Sequence, residues 1–249
     1  TSGRMRLESR RREIRRPLLV INDSPIKQFA ENKHAVGQSV LESFLRITNR
    51  STNGLRVTVF GYGACGKGVA QNFGRACADV AVVDVDPVAR LEACLDGFAV
   101  PDRAEALAGA EVVVTVTGAQ RVLTAEDLPL LRDDVILANG GHFPTEIAVE
   151  EIMAHASVRD VRDAADGIET VVLDDDRRVH VLTHGFMVNL NGPRPLGNSI
   201  GSMDLGFALQ ARCLEAVALG QVGAADCVVP VPPRIDREVA EAYLALRAR

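Results

Sequence analysis

The sequence LRVTVFGYGACG, Leu55 to Gly66, decides the fold of this chain. Its first half is a β-branched, apolar run, and its second half is a glycine loop that leads into a helical pattern. The next apolar run, Ala78 to Asp84, ends in an acidic residue. A strand, a GxGxxG loop, a helix and a second strand ending in an acid are together typical of dinucleotide-binding domains, whereas an isolated glycine loop is often a simple turn.

Each glycine of this loop has a physical role in the pattern. Gly61 permits the tight turn after the strand, Gly63 lets the backbone approach a pyrophosphate, and Gly66 allows the helix to pack closely against the strand. The free N–H groups and the dipole at the helix N-terminus favour the negative charge of the pyrophosphate. The predicted phosphate-binding residues are Gly61, Gly63, Ala64, Cys65 and Gly66.

Asp84 is predicted to bind the ribose on the adenine side of the cofactor. Its carboxylate would accept hydrogen bonds from the ribose hydroxyls and repel a 2′-phosphate, so the pattern favours NAD over NADP. Asp86 is followed by Pro87. Because this pair is typical of a helix start, we predict a helix cap at Asp86 rather than a second ribose ligand.

Short apolar runs alternate with helical stretches on the C-terminal side of the loop. The predicted strands are Leu55 to Gly61, Ala78 to Asp84, Val112 to Thr117, Val135 to Asn139, Thr170 to Asp174 and Val179 to Thr183. The predicted helices between them are Gly66 to Arg75, Pro87 to Asp96, Ala104 to Ala108 and Ala125 to Leu131. Strands without polar alternation are typical of a sheet buried on both faces, which predicts an α/β fold with a doubly wound parallel sheet.

Two helical segments flank this unit, Ser39 to Arg50 before it and Ser202 to Leu219 after it. Helices in these positions are natural hinges to a second domain. An extended proline segment, Val228 to Pro233, and an amphipathic helix, Asp236 to Arg249, are predicted to follow.

The composition, 47% hydrophobic and 24% charged over 249 residues, is ordinary for one or two globular domains. The basic cluster Arg4 to Arg16 lacks interleaved aromatic residues and is typical of a solvated helix face, so no nucleic-acid partner is expected. No apolar run is long enough to cross a bilayer and no secretory signal is visible, so we expect a cytoplasmic protein without a membrane partner. The five cysteines form no CxxC pair and lie in apolar patterns typical of reduced core residues, so neither disulfides nor a metal site is expected.

Several segments, in order along most of the chain, resemble the S-adenosylhomocysteine hydrolase family. Asn22 to Asn32 is similar to the family's NDS…K…DN segment, and Gly61 to Gly68 (GYGACGKG) is similar to its GYGxVGKG loop. The other matches are Asp84 to Pro87 with acidic-x-Asp-Pro, Val114 to Gly118 with VTTTG, Asn139 to Phe143 with NIGHF, Val188 to Leu190 with VNL, and Thr1 to Gly3 with TTG. Their common order makes the resemblance far more specific than any single motif.

The resemblance implies a chemistry and a domain organisation. A tightly held NAD+ would oxidise the 3′-hydroxyl of a nucleoside substrate, which acidifies its 4′-hydrogen; thiol elimination, water addition and return of the hydride would complete a net hydrolysis. Residues 1–38 would be a remnant of a substrate domain with a hinge, residues 39–200 the NAD-binding Rossmann domain, and residues 201–249 a hinge helix with the C-terminal part of the substrate domain. The family's tight association implies a homo-oligomer.

The resemblance also implies the catalytic residues, which are Lys27, Glu31, Asn32 and His142. Lys27 and Glu31 would hold and deprotonate the ribose hydroxyls, since a lysine beside a carboxylate can serve as a proton shuttle. Asn32 would contact the substrate or the nicotinamide, and His142 would meet the ligand from a strand end. The alternatives are an ordinary surface lysine at position 27 and a structural histidine at position 142.

The same matches imply the remaining cofactor contacts. Asn189 would pair with the nicotinamide carboxamide, because an amide can both donate to and accept from another amide. Thr115 and Thr117 would bind the nicotinamide-side ribose or simply fill a β-branched strand. The other implied contacts are Thr1, Ser2, Asn32, Gly118, Gly141 and His142.

Three departures from the family pattern bear on the activity. Glu31 replaces an aspartate and is one methylene longer, and Val36 stands where the family commonly has a cysteine. The segment Gly192 to Ser199 replaces a GHPS motif and lacks its histidine. The lysine- and tyrosine-containing tail with which family members cover a neighbour's cofactor would follow the last residue of this sequence.

These departures leave two functions open. The first is an NAD-dependent enzyme of this type that acts on a nucleoside by transient 3′-oxidation, on S-adenosylhomocysteine or on a modified nucleoside that is epimerised, dehydrated or oxidised. The second is a non-catalytic, regulatory NAD-binding homologue. A 2-hydroxyacid dehydrogenase shares the Rossmann core but would carry an arginine and a downstream acid and histidine in a pattern that this sequence lacks.

Overall fold

The computed structural model describes residues 2–223 and 225–248. Its internal contacts separate two compact units. One unit contains the residues up to Asn32 and those from Ser199 onwards, and the other spans Lys33–Asn198. The assignment of the outer segments to a substrate domain stays a prediction.

The secondary structure alternates between strands and helices over most of the described residues. The strands, in chain order, are β1 (Leu19–Val20), β2 (Arg56–Phe60), β3 (Asp79–Val83), β4 (Val112–Thr115), β5 (Val135–Asn139), β6 (Val158–Ala165), β7 (Ile168–Leu173), β8 (Arg178–Leu182) and β9 (Val229–Pro230). The α-helices are α1 (Ser2–Glu8), α2 (Val36–Thr48), α3 (Ala64–Arg75), α4 (Pro87–Leu95), α5 (Arg103–Gly109), α6 (Val149–Met153), α7 (Ile200–Ala218) and α8 (Pro233–Arg247). A π-helix spans Lys27–Ala35, and 3₁₀ segments lie at Ile21–Asp23, Ala125–Leu130, Pro144–Glu146 and Thr183–Gly185.

The second unit is built on a seven-stranded sheet with the order β3-β2-β4-β5-β8-β7-β6. The five strands from β3 to β8 in this order pair in parallel, which confirms the predicted α/β fold. The last two strands are an antiparallel addition, so the predicted strand Thr170 to Asp174 runs antiparallel to its neighbours and the sheet is parallel except at this edge. β6 was not predicted, because its sequence VRDVRDAA belongs to an exposed edge strand without an apolar run.

The strands bury both faces of the sheet, as their sequences indicate. On one face, side chains such as Val57, Val59 and Val114 pack with Phe44 of α2 and Phe73 of α3. On the other face, alternate residues of the strands pack with Leu107 of α5, Leu128 of the 3₁₀ segment and Ile152 of α6. Layers on both faces are the signature of a doubly wound sheet.

The structure confirms the predicted helix cap at Asp86 but not the predicted α-helix from Ala125 to Leu131. The Asp86 side chain accepts a hydrogen bond from Val88 N (2.9 Å) ahead of Pro87, which confirms the predicted cap. The predicted helix Ala125 to Leu131 is instead a 3₁₀ segment that contains Pro129. A proline inside a helix removes a backbone donor and clashes with the preceding turn, so a regular α-helix is disfavoured there.

The first unit has a small core of its own. Leu209 and Cys213 of α7 pack with Ile235 and Val239 of α8 and with Ile26. Beside this core, β1 and β9 form a two-stranded parallel pair, so the predicted extended segment Val228 to Pro233 contributes one short strand before α8 begins.

All five cysteines lie within the described residues, and no disulfide joins them there. Cys213 and Cys227 are buried as predicted, but Cys77 and Cys94 are exposed, so their assignment to the core was wrong. Cys77 has φ of 65° in the turn before β3, which places it outside the regular pattern that the prediction assumed. Within residues 2–223 and 225–248, none of the helices has the length and apolar character required to cross a membrane.

Two glycines allow α3 to lie very close to the chain that precedes it. A Cβ at Gly68 would run into the carbonyl group of Lys33, and a Cβ at Gly37 would run into the backbone of Gly68. Backbone atoms cannot move aside as a flexible side chain can, so this crossing requires glycine.

We predict that Gly68→Ala lowers the free energy of unfolding by about 1–3 kcal/mol, the usual cost of overpacking. Gly109→Ala is the matched control, because a Cβ at this helical glycine meets nothing within 4 Å. It should be neutral or slightly stabilising, since alanine has the higher helix propensity. Urea unfolding of both variants measures the difference, and equal stabilities would contradict the crossing.

Candidate functional site

The glycine loop joins β2 to α3 as the sequence predicts. Gly61 has φ of +100°, and a Cβ there would lie 2.9 Å from Val116 O, so both its conformation and its surroundings require glycine. A Cβ at Gly66 would collide with the carbonyl oxygen of Gly61. By contrast, a Cβ at Gly63 meets no protein atom within 4 Å. The loop is therefore closed toward the sheet at Gly61 and Gly66 and open at Gly63, beside Ala64 and Cys65 at the N-terminus of α3.

Asp84 lies directly after β3 and holds the loop by its carboxylate. Asp84 Oδ2 accepts a hydrogen bond from Tyr62 N (2.6 Å), and Oδ1 accepts one from Asp86 N (2.9 Å). A carboxylate has about four lone-pair positions, so two remain available for ribose hydroxyls. The buried Tyr62 hydroxyl donates to Asp96 (2.7 Å), and burial together with this aspartate raises the tyrosine pKa.

A cavity of about 940 Å³ opens at the carboxyl ends of β2, β3 and β4. Its lining includes Gly61, Gly63, Asp84, Val116 and Thr117. The volume lies in the range of small-molecule sites, and the carboxyl ends of parallel strands are the usual ligand position in open α/β sheets. The open position at Gly63 and the acid at Asp84 therefore fit a dinucleotide.

The turns after β4 and β5 contain several predicted cofactor residues. Thr115 is fully buried and its hydroxyl donates to Asn139 Oδ1 (3.2 Å), so a structural role accounts for it without a ligand. The Asn139 side chain also accepts from Gly141 N (2.7 Å) and donates to Phe143 O (2.9 Å), which shapes the turn that carries His142. The His142 side chain is exposed at this strand end, and its ligand contact stays a prediction.

Sequence reasoning missed Glu146, whose side chain is completely buried. Its carboxylate accepts hydrogen bonds from Thr117 N (2.8 Å), Thr117 Oγ1 (3.0 Å) and Gly118 N (2.8 Å). Burial raises the pKa of this group, although these hydrogen bonds oppose the shift. The only sequence signal was a charged residue four positions after His142, beyond the end of the matched segment Asn139 to Phe143.

Asn189 is buried, and one of its polar atoms lacks a partner. The Asn189 Nδ2 group donates to Ser39 Oγ (3.0 Å), but Oδ1 has no hydrogen bond within the described residues. A buried acceptor without a donor is costly, by about 1–3 kcal/mol. The predicted nicotinamide carboxamide would supply the missing donor, so this orphaned atom also fits the cofactor.

Lys27 and Glu31 form an ion pair in the first unit, on the π-helix Lys27–Ala35. Their side chains are only 19% and 13% exposed, so position 27 is not a freely solvated lysine. Asn32 Nδ2 donates to Asn22 Oδ1 (3.0 Å), which joins the two ends of the matched segment. π-Helices are rare in proteins, and those that do occur often lie at functional sites.

The remaining predicted residues are less informative. Ser2 begins α1, and Thr1 lies outside the described residues. Gly118 has φ of +72° in the turn held by Glu146. The described residues contain no cluster of three or more His, Cys, Asp or Glu side chains suited to a metal ion.

The fold and the site of the second unit define a Rossmann domain that binds a dinucleotide. The sequence-family model for the NAD-binding domain of S-adenosyl-L-homocysteine hydrolase matches residues 32–194 of this chain. The chain therefore belongs to the S-adenosylhomocysteine hydrolase family, and NAD is the cofactor of this domain.

Curated relatives agree with this assignment. The chain is 36% identical over 228 residues to adenosylhomocysteinase from Thermoplasma volcanium, covering 92% of this chain and 55% of that protein. It is also 36% identical over 247 residues to S-inosyl-L-homocysteine hydrolase from Methanopyrus kandleri, covering 98% and 57%. The chain spans about half the length of these relatives. Among solved structures, a dipicolinate synthase from Bacillus halodurans is similar with a TM-score of 0.46 and 16% identity, over 53% of this chain and 44% of that one.

We predict that Gly63→Ala weakens NAD binding at least about tenfold without lowering the melting temperature. Its Cβ meets no protein atom, but the methyl group occupies the space through which the pyrophosphate approaches the backbone. Gly66→Ala should instead destabilise the fold, because its Cβ collides with Gly61 O. Calorimetric NAD titration and thermal unfolding separate the two effects, and wild-type affinity in Gly63→Ala would refute the placement of the pyrophosphate.

Proposed function

We propose that the protein is a hydrolase of S-nucleosyl-homocysteine compounds that works by transient oxidation of the ribose 3′-hydroxyl. The observation that carries this proposal is the half-buried Lys27–Glu31 pair on a π-helix, with Asn32 next to Glu31 on the same helix. A Rossmann domain alone supports many redox reactions, whereas a lysine–carboxylate pair beside an amide is suited to a sugar hydroxyl.

The residues of this segment would act on the substrate in three ways. When bound, NAD+ supplies the hydride acceptor for the 3′-hydroxyl. Lys27 is held by Glu31, and in its neutral form the Lys27 amine would accept the proton of the 3′-hydroxyl. The Glu31 carboxylate would accept a hydrogen bond from a neighbouring ribose hydroxyl, and Asn32 would orient the ligand by its amide.

The identity of the purine in the substrate, adenine or hypoxanthine, is a separate part of the proposal. The similar proteins from Thermoplasma volcanium and Methanopyrus kandleri are named for adenosyl and inosyl substrates, and their identities to this chain are equal at 36%. We propose S-adenosylhomocysteine as the first substrate to test and S-inosylhomocysteine as the second. A homo-oligomer and a cytoplasmic location remain predictions.

A regulatory, non-catalytic role is the second candidate, and the loop Gly192 to Ser199 favours it. This loop carries no histidine where the family motif has one. It contains irregular backbone with positive φ at Gly192, Arg194 and Gly197. If that histidine is needed for turnover, the protein would retain NAD and lose hydrolysis.

The two candidates differ in thiol release, which is the prediction that tests the proposal. Full-length protein loaded with NAD should release homocysteine from S-adenosylhomocysteine or S-inosylhomocysteine, measured with a thiol reagent. Lys27→Met should abolish release while NAD binding persists, because the residue is assigned to the substrate hydroxyl. Bound NAD with no thiol from either compound would contradict the hydrolase and favour a regulatory role or another nucleoside.

Gly206 provides room for the side chain of Glu31, which is longer than the family's aspartate. A Cβ at Gly206 of α7 would lie 2.7 Å from Glu31 Oε2, within the first unit. The glycine thus leaves room for a carboxylate that extends one methylene beyond an aspartate. Because the obstructed atom is the end of a flexible side chain, added bulk would move the carboxylate rather than unfold the helix.

We therefore predict that Gly206→Ala lowers kcat about tenfold or more while stability changes little, because displacement of the Glu31 carboxylate disturbs the pair with Lys27. Glu31→Asp in the same chain should restore part of kcat, since the shorter acid withdraws from the new methyl group. The thiol assay measures this double-mutant cycle. Strict additivity of the two substitutions would show that Gly206 and Glu31 do not act together.

A further inference from the structure

Glu146 is an ionisable group that neither the cofactor motif nor the proposed reaction uses. Its carboxylate receives three hydrogen bonds, and all come from the turn formed by Thr117 and Gly118. The main-chain oxygen of Glu146 accepts hydrogen bonds from Val122 N (2.8 Å) and Leu123 N (3.0 Å). These bonds hold the backbone of Glu146 in place while its side chain holds the turn. Glu146 therefore joins the Thr117–Gly118 turn to the segment that contains Val122 and Leu123.

The carboxylate also touches the second turn of the site. A Cβ at Gly141 would collide with Glu146 Oε1. The absence of a side chain at Gly141 therefore leaves the room that the Glu146 carboxylate occupies. Burial raises the pKa of Glu146, and the neighbouring His142 opposes part of this shift. One side chain is therefore in contact with the turn after β4 and the turn after β5.

The first of these turns borders the cavity, and the second carries the predicted cofactor residues Gly141 and His142. Thr117 lines the cavity, and the Thr117 Cα atom is 3.1 Å from the position of a Cβ on Gly61. A displacement of the Thr117–Gly118 turn would therefore reach the glycine loop directly. The acceptor-only carboxylate matches the three donors that face it, whereas an amide would place its own N–H groups opposite one of them.

We propose that Glu146 is a positioning residue that preorganises the NAD site, holding the Thr117–Gly118 turn and the Gly141–His142 turn in the conformation that receives the cofactor. The proposal rests on NAD binding by this domain and is independent of hydrolysis. The carboxylate acts through the two turns that it contacts.

The test compares Glu146→Gln with the wild-type protein. The substitution keeps the shape of the side chain but replaces an acceptor with a donor, so we expect NAD affinity to fall about tenfold or more by calorimetric titration. Glu126→Gln is the matched control, because Glu126 is exposed on the Ala125–Leu130 3₁₀ segment, and its affinity should equal that of the wild type. Wild-type affinity in Glu146→Gln would overturn the proposal.

Amide hydrogen exchange supplies a readout that does not require the variant to fold. In wild-type protein without NAD, the amides of Thr117 and Gly118 should already be protected from exchange, because Glu146 holds them before the cofactor binds. Rapid exchange of these amides in the NAD-free wild type, with protection only after NAD is added, would also overturn the proposal. Failure of the wild type to bind NAD at all would instead contradict the assignment of the domain.

Discussion

The second unit depends on the close approach of helix α3 to the chain around it. Gly66 lies against the carbonyl of Gly61, and Gly68 lies against the carbonyl of Lys33. Both contacts are between backbones, which no larger residue permits. They bring the N-terminus of α3, which begins at Ala64 beside the open position at Gly63, to the end of β2. The same glycines that close the packing therefore place this helix N-terminus where we expect the pyrophosphate to bind.

Buried and half-buried carboxylates organise the turns around this helix. Asp84 accepts from two backbone N–H groups, and Glu146 accepts from the turn after β4. A buried carboxylate is stable only when hydrogen bonds replace its water, so each acid defines a single arrangement of the donors around it. In Asp84 the remaining lone pairs suit the ribose hydroxyls, whereas in Glu146 the protein supplies the donors itself.

The sequence predicted those features that depend on local pattern. Spacing between residues that are close in the chain was enough to predict four features. They are the glycine loop, the acid at Asp84, the Asp86 cap and the parallel strands. The ion pair between Lys27 and Glu31 is consistent with the matched segment, but the π-helix that carries it has no sequence signature of this kind.

The missed features depend on contacts between distant residues. Glu146 meets Thr117 across 29 positions, and Gly206 meets Glu31 from another helix, so neither contact can be read from spacing. The strand β6 was missed for a different reason, because an exposed edge strand has no apolar periodicity. Cys77 and Cys94 show the reverse error, since an apolar neighbourhood in the sequence does not guarantee burial.

A crystal structure of the full-length protein with NAD tests the central claim most directly, namely that the unit Lys33–Asn198 holds the cofactor on its glycine loop. We expect the pyrophosphate against Gly63 at the N-terminus of α3, the adenine-side ribose hydroxyls on Asp84, and the nicotinamide carboxamide on the Oδ1 atom of Asn189. Cofactor bound elsewhere, or a pyrophosphate remote from Gly63 with Asp84 uncontacted, would contradict this claim.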